Sequence, residues 1–289
     1  MQRASYTFEN IKDFEPLHIF ECGQCFRWRR QLDGSYTGVV QEHVFNVIKE
    51  NNSVIIHADS DDLQDLFANY VDLKTEYAEI KKELQGDKIL KKAIDFGYGI
   101  RILKQDHWEC LASFIISANN RIPMIMRAVE NISEQFGKPI EFSTKIHYSF
   151  PNPEELVDVE EDRLALCGVG FRCKYIKHAA RMVSAGEIDL KAIENMDSHS
   201  AREELMRIPG VGPKIADCVL LYSYGKPNVF PTDVWVKRVV EVLFFHREAK
   251  LTEIQEFAAK KFGDLAGFAQ QYLFYYAREN KIGSKEVKR

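Results

Sequence analysis

The chain has 289 residues, 45% of them hydrophobic and 28% charged, a balance that excludes a disordered or fibrous polymer. No apolar stretch approaches the length of a membrane-spanning helix, and the start, MQRASYTFENIKDFEP, lacks the apolar core of a signal peptide, so a soluble intracellular protein with no membrane partner is expected. The net charge of −4 weighs mildly against a nucleic-acid binder.

That charge is unevenly spread. PEELVDVEED (153–162) holds six acids and no base, residues 201–240 carry six Lys/Arg against four Asp/Glu, and the terminal KIGSKEVKR is basic. A locally positive face is therefore compatible with the acidic total. The six cysteines (22, 25, 110, 167, 173 and 218) are sparse and read as reduced thiols.

The length suggests two or three subdomains. The first sixty residues read as short strands rich in aromatic and β-branched residues: LHIFECG, QCFRWRRQ, SYTGVVQ, HVFNVIKE and SVIIHA. Tight turns between them predict an antiparallel sheet. After ADSDD the pattern becomes helical, with Leu63, Leu66, Phe67 and Tyr70 spaced by three and four. Helices are predicted over about 107–118, 122–136, 172–185, 212–224, 232–244, 251–262 and 264–279. The fold class is α+β: a small N-terminal antiparallel sheet followed by a large all-helical part.

IPGVGPK (208–214) is a sharp turn between two apolar helical patterns. Gly210 and Gly212, on either side of Val211, allow positive φ and close backbone approach, and Pro213 suits the first helical position. The turn amides and the following helix N-terminus make an anion site suited to a phosphodiester. This is similar to a helix-hairpin-helix DNA clamp over about 203–224; the plain alternative is an αα-corner.

Lys214 sits in the first helical turn, where the dipole disfavours a cation. It reads either as a nucleophilic amine or as a point charge for a phosphate. Nineteen residues on, Asp233 opens a new helix, which suits an N-cap and equally an anion placed to stabilise an oxocarbenium-like sugar. CGQC (22–25) has metal-type spacing but no second pair or suitable histidine, so neither a metal nor a cofactor is expected.

The ordered segments GQCFRWR (23–29), RILKQDHWECLASFIISANNRI (101–122), LCGVGFRCKYI (166–176), IPGVGPKIADC (208–218), FPTDV (230–234) and AGFAQQYLF (266–274) carry a specific resemblance. Together they resemble the 8-oxoguanine DNA glycosylases of the Ogg type, within the helix-hairpin-helix Gly/Pro-Asp superfamily. The resemblance implies a TATA-binding-protein-like sheet domain over 1–100, with flanking helices, and a glycosylase region over 101–289. It also implies a bifunctional glycosylase/lyase that acts, as a monomer, on duplex DNA containing 8-oxoguanine.

In residues, the resemblance places the nucleophile for C1′ on Lys214 and charge stabilisation on Asp233. Gly23 would offer its carbonyl to the N7–H that marks oxidised guanine. Phe274 and Cys218 would sandwich the base, and Gln270 would bond its Watson–Crick edge. Of the pair Asn119 and Asn120, the first would fill the gap left by the flipped nucleotide. Phe171 would wedge beside the opposite base and Arg172 would read it.

Three positions depart from the family pattern. Met124 stands where relatives that demand cytosine carry arginine, Trp235 where many have histidine, and Ala277 where an acid is common. Met124 offers no donor, which predicts a relaxed opposite-base preference. With no cysteine after 218, the chain cannot hold the C-terminal iron–sulfur cluster of endonuclease III-type relatives. Two rivals remain: an alkyl-base glycosylase, whose members lack the hairpin lysine, and a non-catalytic helix-hairpin-helix module, which needs neither Asp233 nor a base pocket.

Overall fold

The computed structural model describes residues 4–283; the basic C-terminal run lies, from residue 284 on, outside the described residues. Near the N-terminus, side-chain alternation builds a five-stranded antiparallel sheet in the order β1-β5-β4-β3-β2. Its strands are β1 (Ala4–Phe8), β2 (Arg29–Arg30), β3 (Tyr36–Val40), β4 (His43–Glu50) and β5 (Ser53–Ala58). Gln41 and Asn51, both at positive φ, supply the left-handed turn positions that tight hairpins need. Phe45, Val47, Val54, Ile56 and Ala58 project from one face and pack with Phe67 and Tyr70 of α2 (Gln64–Tyr70).

Two predicted strands are corrected. LHIFECG is mostly helical: α1 (Pro16–Phe20) has Pro16 at its first position and buries Ile19 and Phe20. Within QCFRWRRQ only two residues pair in the sheet, because Trp28 leaves it to stack on Phe20 with ring centroids 3.9 Å apart. The sheet instead gains β1, an edge strand the reading missed, paired with β5 in the register Tyr6↔Ile56.

The helices of the second part are α3 (Tyr77–Leu84), α4 (Lys88–Phe96), α5 (His107–Ser117), α6 (Ile122–Phe136), α7 (Pro153–Val157), α8 (Glu161–Leu164), α9 (Cys173–Ser184), α10 (Ser198–Met206), α11 (Pro213–Tyr222), α12 (Val234–Val240), α13 (Leu251–Phe262) and α14 (Ala266–Glu279). Those from α5 onward follow the predicted ranges closely where a range was predicted. This part is not all-helical, since β6 (Pro139–Phe142) and β7 (Lys145–Tyr148) form a hairpin. Phe142 and Ile140 lie against Val39 and Val44, so the hairpin covers the outer face of the N-terminal sheet.

Apolar packing divides the chain before residue 100. Tyr77, Leu84, Leu90, Ala93 and Ile94 of α3 and α4 belong to the helical core, whereas the sheet core ends with Val71 and Leu103. Buried polar ties join the two cores. Gln24 donates to the Ile19 and Arg101 carbonyls at 2.9 and 2.8 Å and accepts from the Leu103 amide at 3.0 Å. These bonds satisfy a side chain with no access to water and fix the Cys22–Cys25 loop against the helical body.

Candidate active site

Four elements frame two adjoining spaces: the end of α5, the α10–α11 hairpin, the start of α12 and the face of α14. The hairpin forms as its residues dictate. Gly210 has φ +89°, and a Cβ there would strike the Tyr175 ring at 2.6 Å, so only glycine fits. Val211 closes the turn by donating its amide to the Ile208 carbonyl at 3.0 Å. Gly212 differs from expectation. It is the extended N-cap of α11, with φ −98°, a conformation any residue adopts. Nothing lies within 4 Å of where its Cβ would sit, so its value is open space for an approaching backbone.

Pro213 opens α11 and places Lys214 in the first turn. The half-buried lysine reaches across to α5, where Nζ donates to Ser117 Oγ at 3.3 Å and lies 5.2 Å from the centre of the Phe114 ring. One turn further, Cys218 shares its face. Burial pushes the Cys218 thiol up to about 11, against the pull of the neighbouring Lys214 ammonium. Ser117 and Phe114 were missed from sequence; their three-residue spacing on the helix before Asn119 was the available signal.

Asp233 caps α12, accepting from the Val236 amide at 2.7 Å through Oδ1. The residue is exposed. Lys214 and Asp233 line the same cleft of about 510 Å³ with Ser117, Asn119, Arg121 and Arg238. Three cations against one carboxylate make that cleft net positive on an acidic protein.

Beyond the amine lies a second, tighter cavity with volume for a few water molecules, about 60 Å³. Gly23, Phe114, Lys214, Cys218, Tyr222, Asp233, Gln270 and Phe274 all line it. Every predicted base-binding residue is thus brought together. Gly23 has φ +87°, and a Cβ there would sit 3.2 Å from Phe274 and 3.3 Å from Ile122.

The residues expected at the opposite strand divide. Asn119, at φ +49°, is exposed just past the end of α5, while Asn120 turns back and donates to the Ile116 carbonyl at 3.2 Å. Phe171 and Met124 are 58% and 47% exposed. Arg172 is not free: it is 8% exposed. Its guanidinium donates to the Ala118 carbonyl at 2.7 and 2.5 Å, to Asn119 O at 3.0 Å and to Val169 O at 3.0 Å. Terminal helix carbonyls lack partners within their own helix and attract cations, so the arginine is spent on the loop that presents Asn119. Cys22 and Cys25 of CGQC are buried, each giving its thiol proton to an α1 carbonyl.

Residues 7–111 match the family model of the 8-oxoguanine DNA glycosylase N-terminal domain, and residues 112–264 that of the HhH-GPD superfamily base excision DNA repair proteins. A probable N-glycosylase/DNA lyase of Methanothermobacter thermautotrophicus is 34% identical over 231 residues, 73% of each chain. The solved structure of MBOgg1 with a low-affinity DNA ligand superposes with a TM-score of 0.93 at 50% identity, over 97% of this chain and 100% of that one. The Clostridium acetobutylicum 8-oxoguanine glycosylase/lyase, solved with duplex DNA carrying cytosine opposite 8-oxoguanine, gives 0.93 at 45% identity, over 98% and 99%.

Proposed function

The chain belongs to the HhH-GPD superfamily of base excision DNA repair proteins, and within it to the 8-oxoguanine DNA glycosylases of the Ogg type, and from that premise we propose how its residues share the work. It is a DNA glycosylase with abasic-site lyase activity that excises 8-oxoguanine from duplex DNA. A base inside a duplex hides its C1′, so the nucleotide must be extruded first. The cleft receives the sugar and the tighter cavity the base.

The observation that carries this reading is that Lys214 lines both spaces, with Asp233 beside it. The deprotonated amine attacks C1′ as the C1′–N9 bond breaks and its electrons leave with the base, which takes up a proton. The Asp233 carboxylate stabilises the positive charge that builds on the sugar. Ring opening gives an imine, and loss of a C2′ proton expels the 3′ phosphate. Gly23 O accepts from N7–H, Phe274 and Cys218 stack on the two faces, and Gln270 reads the opposite edge. The Gly210–Gly212 turn holds a phosphodiester, Asn119 fills the vacated stack, and Phe171 wedges beside the unpaired base. With Met124 lacking a donor and Arg172 committed to backbone, the opposite base is read loosely.

We also read the protein as a monomer of the reducing cell interior. Its six free cysteines support the compartment, and among the described residues no helix is long and apolar enough to cross a membrane.

The test is borohydride trapping on duplex containing 8-oxoguanine. The unmodified protein should form a covalent adduct, and Lys214→Gln should lose both adduct and base release while still binding duplex. Excision by that variant near the wild-type rate would move the nucleophile elsewhere.

A further inference from the structure

We infer that Tyr222 and Gln271 together fix which end of the Gln270 carboxamide faces the base cavity, and so decide which purine edge the site accepts. The inference rests on reading that cavity as the 8-oxoguanine site. Tyr222 is buried at the end of α11, one turn beyond Cys218. Its hydroxyl lies 2.5 Å from Gln271 Oε1 and 3.3 Å from Gln270 Oε1. On its other side, Gln271 Nε2 donates to the Cys22 carbonyl at 3.1 Å, in the residue before Gly23.

A phenol carries one proton, and burial holds it firmly on Tyr222 by raising the pKa well above that of a free tyrosine. One proton cannot serve two oxygens. Gln271 has no choice of orientation, because a carbonyl only accepts; its Nε2 must face Cys22 and its Oε1 must face Tyr222. The tyrosine proton is therefore taken, and Tyr222 Oη has only lone pairs left for Gln270. Gln270 must meet it with an Nε2–H, a half-turn of an amide whose two ends have nearly the same shape. That leaves Gln270 Oε1 directed at the cavity as a pure acceptor.

The consequence is a choice between two oxidised purines. 8-Oxoguanine and 8-oxoadenine share N7–H and C8=O, so Gly23 cannot separate them. At N1 and C2 of the other edge, 8-oxoguanine presents N1–H and N2–H donors, whereas 8-oxoadenine presents a bare N1 and a C–H, its amine lying at C6 where 8-oxoguanine has an oxygen. A fixed acceptor suits the first and opposes the second. Tyr222 and Gln271 are positioning residues: they act on the base through Gln270.

The experiment is single-turnover excision of both bases from otherwise identical duplexes, scored as the ratio of the two rates so that partial misfolding cancels. Tyr222→Phe removes the hydroxyl that holds the amide and should lower the ratio at least tenfold. Gln271→Leu should go further. It frees the tyrosine proton for Gln270 Oε1, turns Nε2 toward the cavity, and should raise 8-oxoadenine excision above the wild-type rate. Loosened packing would slow both bases and cannot produce that sign. Either variant alone suffices if the other fails to fold. A wild-type protein that excises neither base would remove the underlying reading of the site. Wild-type excision of 8-oxoguanine with ratios unchanged in the variants would overturn this inference alone.

Discussion

Asp233 caps α12, and in the proposed mechanism the same carboxylate stabilises charge on the sugar; a single substitution separates the two. Asparagine caps a helix about as well as aspartate, so Asp233→Asn should leave the Val236 amide bonded and the thermal midpoint nearly unchanged. The charge is lost, and removal of one such electrostatic group costs about 10²–10³ in rate. Melting and single-turnover excision on the same preparation check both halves; a fall below tenfold would reduce Asp233 to a cap. Residues whose chemistry is odd for their place were readable from the sequence, as Lys214 at a helix start was. Arg172 was not. Its type and position gave no sign that its donors turn inward to the Ala118, Asn119 and Val169 carbonyls, because orientation depends on where the end of α5 falls in three dimensions.

At the scale of elements, the proposed mechanism has the turn between α5 and α6 meet the opposite strand. Arg172 stiffens that turn from behind, and Met124, in the first turn of α6, faces outward. A thioether donates nothing, whereas a guanidinium can donate twice to cytosine. Met124→Arg should therefore slow excision opposite adenine, guanine and thymine relative to cytosine, worth about 1–3 kcal/mol of discrimination. Four duplexes differing only in the opposite base measure it; strict cytosine dependence in the unmodified protein would reverse the expectation. Long periodic helices such as α6 and α13 were legible because tertiary packing and periodicity agree. The five-residue α1 was not: its aromatic and β-branched content reads as strand, and only Pro16 hinted at a helix start.

For the molecule as a whole, the proposed DNA interface has few unpaired cations and relies also on neutral dipoles. Of the basic residues in 201–240, Arg202, Arg207 and Lys237 are paired with Asp217, Glu204 and Glu241. Arg121 and Arg238 line the cleft beside Lys214. Counterions are released by charges and not by hairpin amides, so with two phosphate contacts the log–log slope of affinity against salt should be shallow, about −2. A titration from low to high salt measures it; a flat response would remove the cleft from the DNA interface. The overall class was legible because composition changes after residue 60. The early seam between the two cores was not, since α3 and α4 join the helical body through long-range contacts with α14.

One hydrogen bond, from Gln271 to the carbonyl of Cys22, spans 249 positions of the chain. A ribosome adding about 5–20 residues per second releases the first partner long before the second exists. The hairpin and its lysine also emerge ahead of α14, which supplies Gln270 and Phe274. During that interval Lys214 is present without the Gln270 amide and the Phe274 ring that line the same cavity. The cavity beside Lys214 is thus completed only when α14, the last helix of the described residues, has been made.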